Sequence, residues 1–163
     1  MYFLPTWMLP FFQWCDGTRL SVVIRESLWL FPVIESFHLL ALAVLGGAIL
    51  VVDLRLWGLG LRRQPVARLA RDVQPWMLGS LGVMLTSGFM LFLSEALKCY
   101  DNLPFQVKMI FLFFAIVFTL TIRRRVTMRE DGHISSAVAK AVGAVSLVLW
   151  SGVGLSGRAI GFW

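Results

Sequence analysis

Residues 28–52 read LWLFPVIESFHLLALAVLGGAILVV, and this stretch decides the fold. Glu35 and His38 are its only ionisable side chains. A helix rises about 1.5 Å per residue, so a helix over this stretch is long enough to cross the roughly 30 Å hydrocarbon core of a bilayer. The stretch therefore predicts a transmembrane helix.

Three further stretches meet the same criterion of about 20 mainly apolar residues. The four predicted crossings are residues 28–52, 76–93, 105–122 and 137–156. Ahead of them, residues 1–26 hold a proline-interrupted apolar part that is too short to cross and predicts a segment lying in the membrane interface. We therefore expect one all-α membrane domain over residues 1–163, a four-helix bundle with an N-terminal interfacial segment.

The composition excludes a water-soluble globular domain. The chain is 58% hydrophobic and 15% charged, whereas soluble domains are about 45–50% apolar and about 25% charged. The formal net charge of +6 does not require nucleic acid, because cytoplasmic loops of membrane proteins also carry a positive excess. The expected partner is the lipid bilayer, not nucleic acid.

Two of the connections between the predicted helices carry most of the basic residues. These residues are Arg55, Arg62, Arg63, Arg68, Arg71, Arg123, Arg124, Arg125, Arg129 and Lys140. The positive-inside rule places both connections in the cytoplasm. Four crossings then leave both termini on the outer, periplasmic side of a bacterial inner membrane.

At the cytoplasmic edge, the simplest interpretation of Asp53 and Arg55 is an ion pair, and the arginines from 62 to 71 predict contact with anionic lipid. Cys15 and Cys99 both fall on the outer, oxidising side, where thiols tend to pair. A disulfide and two free thiols are both open, because the sequence does not fix the Cα separation that bonding requires.

Small residues recur at helical spacing in the second and fourth crossings. The two stripes are Gly79, Gly82, Thr86 and Met90, and Gly143, Ser146, Trp150, Gly154 and Gly157. Such stripes allow the close approach of another helix or a flat ligand. With apolar outer faces, they lead us to expect a symmetric homo-oligomer.

Ionisable groups inside a bilayer are expensive, so they normally face the bundle interior and have a partner or a function. Glu35 and His38 lie in the first crossing, Lys108 near the start of the third and Arg158 near the end of the fourth. All four fall in the predicted outer half of the bundle, where they could converge. An imidazole in a helical bundle, with cations near one membrane face, fits a haem b site in which Lys108 and Arg158 neutralise propionates.

Several features of this site stay open. The second axial position could be taken by Met90, Met84, Met109 or a neutral Lys108, or be empty, while His133 is too distant in the same chain. His38 could instead be a hydrogen-bonding strut between helices or a proton relay with Glu35. A copper site of Glu35, His38 and nearby methionines is the alternative cofactor hypothesis.

The chain resembles a bacterial family of small four-helix membrane proteins of unknown function. The motifs are Ser27 to His38 (SLWLFPVIESFH), Gly46-Gly47, Asp53 to Gly58 (DLRLWG), Gln74-Pro75-Trp76, Phe105 to Lys108 (FQVK), Trp150 to Val153 (WSGV) and Gly157 to Phe162 (GRAIGF). This resemblance covers almost the whole chain from Leu28 onward. It implies a fold and a membrane location but no activity.

A more distant likeness is to the small haem-binding membrane type of protoporphyrinogen oxidase and to copper-resistance membrane domains. In the oxidase, an early-helix histidine is implicated in haem b binding, and a lysine that opens a later helix is functionally important. The likeness places these roles on His38 and Lys108. The leading hypothesis is therefore a membrane cytochrome of b type that exchanges electrons with quinol or a periplasmic redox protein, with oxidoreductase catalysis left open. The alternatives are a copper-binding or copper-transport protein and a non-catalytic structural subunit.

Overall fold

The computed structural model describes residues 5–59, 64–128 and 135–162. Within these ranges, four helices are long and apolar enough to cross a membrane, and no residue forms a strand. The prediction of an all-α four-helix membrane bundle is therefore confirmed. Arg62, Arg63, Arg129 and His133 lie outside the described residues.

The helices follow one another with short connections. In chain order they are α1 Leu9–Asp16, α2 Arg19–Glu26, α3 Leu30–Leu56, α4 Val66–Ser94, α5 Ala96–Asp101, α6 Leu103–Phe118, a π-helical turn Thr119–Arg123, α7 Arg124–Thr127 and α8 Ser136–Ala159. The third crossing runs continuously over Leu103–Thr127, and the fourth extends over Ser136–Phe162 through a terminal 3₁₀ turn. All four helices reach beyond the predicted apolar runs, because their ends continue into polar sequence.

Local signals in the sequence explain where several helices begin. The Asn102 side chain accepts a hydrogen bond of 3.0 Å from the Phe105 amide, and Pro104 occupies the first turn of α6. Thr18 caps α2 in the same way through the Ser21 amide. Both residues satisfy amide groups that the first turn of a helix leaves without an intrahelical partner.

Helix α3 holds the bundle together, because it packs against both α4 and α8, while α6 packs mainly against α8. The buried core between α3 and α4 consists of Ala41, Leu45, Ile49, Leu81 and Met84. By contrast, α4 and α6 are not closely packed along their length. They meet through side chains, of which the stacked Phe92 and Phe105 rings, 5.6 Å between centroids, lie at one end.

Two glycines of α8 accommodate aromatic side chains from neighbouring helices. A Cβ placed on Gly143 would lie 2.9 Å from Trp57 Nε1, and one on Gly152 would lie 2.5 Å from the Phe111 ring. The Trp57 indole also donates a hydrogen bond of 2.9 Å to the Lys140 carbonyl. Gly143 belongs to the predicted small-residue stripe and Gly152 does not, whereas a Cβ placed on Gly154 of that stripe would meet nothing within 4 Å.

The N-terminal helices cover one end of the bundle. Phe12 and Cys15 of α1 are buried in one cluster with Leu93, Cys99 and Tyr100. The T-shaped contact between Phe12 and Tyr100 has a centroid distance of 5.3 Å. This cluster docks the segment before the first crossing onto the connection between the second and third.

Candidate functional site

His38 projects from α3 toward α4, where its ring is half-buried. Its Nδ1 atom lies 2.9 Å from Ser87 Oγ. The Ser87 hydroxyl donates its own proton to the Val83 carbonyl at 2.6 Å. Because a hydroxyl has one proton to give, a Ser87 hydroxyl that donates to Val83 accepts from His38 Nδ1, and in that tautomer Nε2 keeps its lone pair.

The state of Nε2 decides what this histidine can do. Besides Ser87, the backbone of Met84 is a hydrogen-bond partner of the His38 ring. A hydrogen bond from the other ring nitrogen fixes the tautomer and orientation of metal-binding histidines. In the tautomer with the proton on Nδ1, His38 could ligate a metal through Nε2.

Gly88 lets the imidazole approach the α4 backbone. A Cβ placed on Gly88 would lie 3.1 Å from His38 Cε1 and 3.5 Å from Nδ1. A larger side chain at this position would press on the ring and disturb the bond to Ser87. Ser87 and Gly88, at adjacent positions of α4, thus hold the His38 ring in place, and we call this pair the histidine seat.

Lys108 is one of the two cations that the sequence predicts near the histidine. It is half-buried on α6, and a Cβ placed on Gly157 of α8 would lie 3.5 Å from its Nζ. Lys108 is also within electrostatic range of His38. In the part of the chain that the structure describes, its ammonium has no ion pair or hydrogen bond.

The structure does not join the other predicted site residues to His38. Glu35 is exposed, although it lies three residues before His38 on α3. Met90 is half-buried on α4 without a hydrogen bond to the imidazole, and the Arg158 guanidinium lies over the Phe162 ring, 5.7 Å from its centroid. The geometry therefore places Lys108 within electrostatic range of His38, and it joins neither Glu35, Met90 nor Arg158 to the imidazole by a hydrogen bond or ion pair among the described residues.

A second polar centre, which the sequence did not predict, lies between α3 and the third crossing. Asp53 Oδ1 accepts a hydrogen bond of 2.9 Å from Arg123 Nε, and both side chains are almost completely buried. The Arg123 guanidinium also donates to the Ile49 carbonyl at 3.1 Å. The expectation that Asp53 pairs with Arg55 is wrong, because Arg55 donates instead to the Gln64 carbonyl at 3.0 Å.

The π-helical turn accounts for the burial of Arg123. A π turn inserts an extra residue into a helix and changes which side chains face inward. Here both Thr119 and Arg123, the first and last residues of the turn, are buried. The Trp150 indole donates a hydrogen bond of 3.0 Å to Thr119 Oγ1, which fixes the turn against α8.

Two buried oxygen atoms beside the ion pair have room for further hydrogen bonds. Ser146 of α8 lies beside the Asp53 carboxylate. Among the described residues, Ser146 Oγ and Asp53 Oδ2 reach no partner at full hydrogen-bond geometry, although the Ser146 hydroxyl is near enough to interact with the carboxylate, and both side chains are fully buried. This polar centre therefore joins α3, α8 and the third crossing at the arginine-rich end of the bundle.

Cys15 and Cys99 are free thiols buried in the cluster between α1 and α5. The sequence left both a disulfide and two free thiols open, and in the structure the two cysteines are not bonded to each other. Burial raises the pKa of the Cys99 thiol to about 11, with a further contribution from Glu95. Burial also raises the pKa of Cys15.

Comparison with protein families gives one match, a family of unknown function (DUF6644), over residues 11–163. The chain belongs to this family. No curated protein and no solved structure matches the chain.

The DUF6644 match spans all four crossings, and it includes His38, Ser87 and Lys108 as well as the Asp53–Arg123 pair. Membership of this family does not indicate an activity, so the evidence for one comes from the side chains. Among the described residues of this DUF6644 protein, no three His, Cys, Asp or Glu side chains are grouped as they would be around a metal ion.

Proposed function

We propose that this protein is a haem b-binding integral membrane protein that transfers electrons between the haem and quinol or a redox protein at the outer face. One observation carries the proposal. On a membrane-spanning helix, the hydrogen bond between His38 Nδ1 and Ser87 supports the tautomer in which Nε2 carries the lone pair.

The number of available donors favours haem over a bare metal ion. A protein-only metal site needs several side chains, and none of the described residues form such a group of His, Cys, Asp or Glu. A porphyrin supplies four nitrogen ligands itself, so a single histidine is enough to anchor haem iron. His38 meets this requirement.

The neighbouring residues have distinct roles in this proposal. Bound haem b would supply a centre that gains and loses one electron. Ser87 holds the imidazole in its Nδ1–H form, and Lys108 supplies a positive charge that would balance a propionate. Met90 would be a candidate for a second iron ligand and Arg158 for a second cation.

Glu35 is suited to proton handling rather than to ligation. Quinol oxidation releases protons, and an exposed carboxylate one turn from the histidine can accept one. Glu35 is exposed on the surface of α3, which a membrane-dissolved quinol could reach. We place the protein in a bacterial inner membrane, on the basis of its arginine distribution and four apolar helices.

Absorption spectroscopy tests the proposal directly. The protein purified in detergent from haem-supplemented cells should show a Soret band and, after reduction, α and β bands. His38→Ala should abolish these bands, whereas His133→Ala, which removes the chain's other histidine, should leave them unchanged. A spectrum that survives His38→Ala would overturn the ligand assignment.

Ser87→Ala provides a finer test of the same site. The imidazole would lose the acceptor that fixes its tautomer, so we expect haem affinity to fall about 10- to 100-fold, as for other outer-shell partners of metal ligands.

Metal analysis completes the experiment. Copper without haem would replace this proposal by a copper site of His38 and nearby methionines, and colourless, metal-free protein would favour a structural subunit.

A further inference from the structure

A recess lined by arginines lies at the end of the bundle opposite Lys108. It has a volume of about 560 Å³, and its lining residues are Arg71, Leu120, Thr121, Arg124, Arg125 and Met128. We call it the arginine recess. No acidic side chain is among the described residues that line it. With three arginines among its described lining residues, the recess favours an anion as its ligand.

The arginines come from two different crossings. Arg71 lies in the first turns of α4, and Arg124 and Arg125 form the start of α7, at the end of the third crossing. Arg124 and Arg125 are exposed and have no ion pair or hydrogen bond from their side chains within the described ranges. Their guanidinium groups are thus available to a ligand, and planar guanidinium groups bind phosphate well.

The remaining walls of the recess are suited to hydrocarbon. Leu120 is exposed and Met128 is half-buried, and Leu120 belongs to the same membrane-crossing helix as the two arginines. A soluble phosphate would gain nothing from these apolar side chains. A phospholipid would place its phosphate among the arginines and its first acyl carbons against Leu120.

We propose that the arginine recess binds the headgroup of an anionic phospholipid. Basic pockets between transmembrane helices near the cytoplasmic surface are suited to such headgroups, and the positive-inside rule places this end of the bundle at that surface. The site differs from the general basic surface predicted for residues 62–71, because it has defined walls on two crossings. It does not depend on haem.

The test measures lipid binding to the full-length protein. Delipidated protein in detergent is titrated with phosphatidylglycerol or with phosphatidylcholine, and the bound lipid is counted by native mass spectrometry. We expect phosphatidylglycerol to bind preferentially. An arginine near an anionic lipid surface changes binding about fivefold, so Arg124→Gln/Arg125→Gln should weaken phosphatidylglycerol binding about 30-fold.

Two matched variants make the result specific. Arg68→Gln removes another exposed arginine of α4 that does not line the recess, and it should change phosphatidylglycerol binding less than twofold. Arg124→Lys/Arg125→Lys keeps the charge and should retain most of the binding, which separates loss of charge from misfolding.

Three outcomes would overturn the proposal. The first is equal binding of phosphatidylcholine, and the second is an equal loss of phosphatidylglycerol binding in Arg68→Gln, which would indicate a diffuse charge effect. The third is full displacement of the lipid by millimolar inorganic phosphate, which would assign the recess to a soluble anion.

Discussion

At the scale of single residues, the candidate site depends on a histidine whose tautomer is set by its neighbour. His38 could be singled out from the sequence because it lies in an apolar run, where an ionisable side chain is expensive. Its partners could not, because Ser87 and Gly88 are 49 and 50 residues away and look like ordinary small residues of a packed helix. Only the folded chain shows that this pair seats the imidazole.

Gly88→Val tests this seat. The added Cβ would lie 3.1 Å from His38 Cε1, so the ring must move away from Ser87. We expect a loss of about 1–3 kcal/mol in stability, as for other overpacked sites, together with reduced haem occupancy if haem is bound. Thermal unfolding in detergent measures the first effect.

Gly82→Val on the same helix is the control, since a Cβ there meets nothing within 4 Å. Equal destabilisation by the two variants would show that the cost comes from valine in α4 and not from the histidine contact.

The raised pKa of Cys99 predicts how its alkylation rate depends on pH. The thiolate is the reactive form of cysteine, and burial raises the pKa of Cys99 from 9.0 to about 11. In a Cys15→Ala protein, alkylation of Cys99 at pH 8 should therefore be about 100-fold slower in the native state than after unfolding, since each unit of pKa changes the thiolate fraction about tenfold. The native rate should rise with pH until about pH 11.

The same shift in pKa affects stability. The folded protein holds the thiol proton more tightly than the unfolded chain does, so the contribution of Cys99 is fully present below pH 9 and is lost as the pH rises through 11. An alkylation rate that levels off near pH 9 would contradict the burial of this thiol.

At the scale of the helices, the sequence predicts the number of crossings but not their ends. An apolar criterion stops at the first charges, so it ends the third crossing at Ile122, whereas the helix continues to Thr127. Arg123 is buried because a π turn rotates it inward toward Asp53. No local spacing could indicate this pair, since helical side-chain neighbours are only three or four residues apart and these two are separated by 70.

The Asp53–Arg123 pair predicts strong non-additivity. Removing one partner of a buried ion pair costs about 3–5 kcal/mol, because the other charge stays buried without compensation, while replacing both by apolar residues is often neutral. Arg123→Met and Asp53→Leu should therefore each destabilise the protein strongly, and the double variant should recover most of the loss. Unfolding in denaturing detergent measures all three.

Arg55→Met is the comparison for this cycle, because within the described ranges the Arg55 side chain bonds only to the Gln64 carbonyl. It should cost less than about 1 kcal/mol. Additive losses in the Asp53–Arg123 cycle would contradict the direct coupling of the two side chains.

At the scale of the whole molecule, the arginine distribution predicts the orientation in the membrane. Four crossings with the basic connections inside place the C-terminus outside. A C-terminal fusion to a fluorescent protein that matures only in the cytoplasm should be dark, and the same fusion after residue 128 should be bright. The reverse pattern would invert the bundle and move the arginine recess to the outer leaflet.

The arrangement of the four crossings has a consequence for how a flat molecule reaches the interior. Because α4, α3, α8 and α6 pack in that succession, the α4–α6 seam is closed by side chains rather than by adjoining backbones. Side chains change rotamer much faster than helices repack. A planar compound dissolved among the acyl chains would therefore have to displace only side chains, not helix backbones, to enter through this seam.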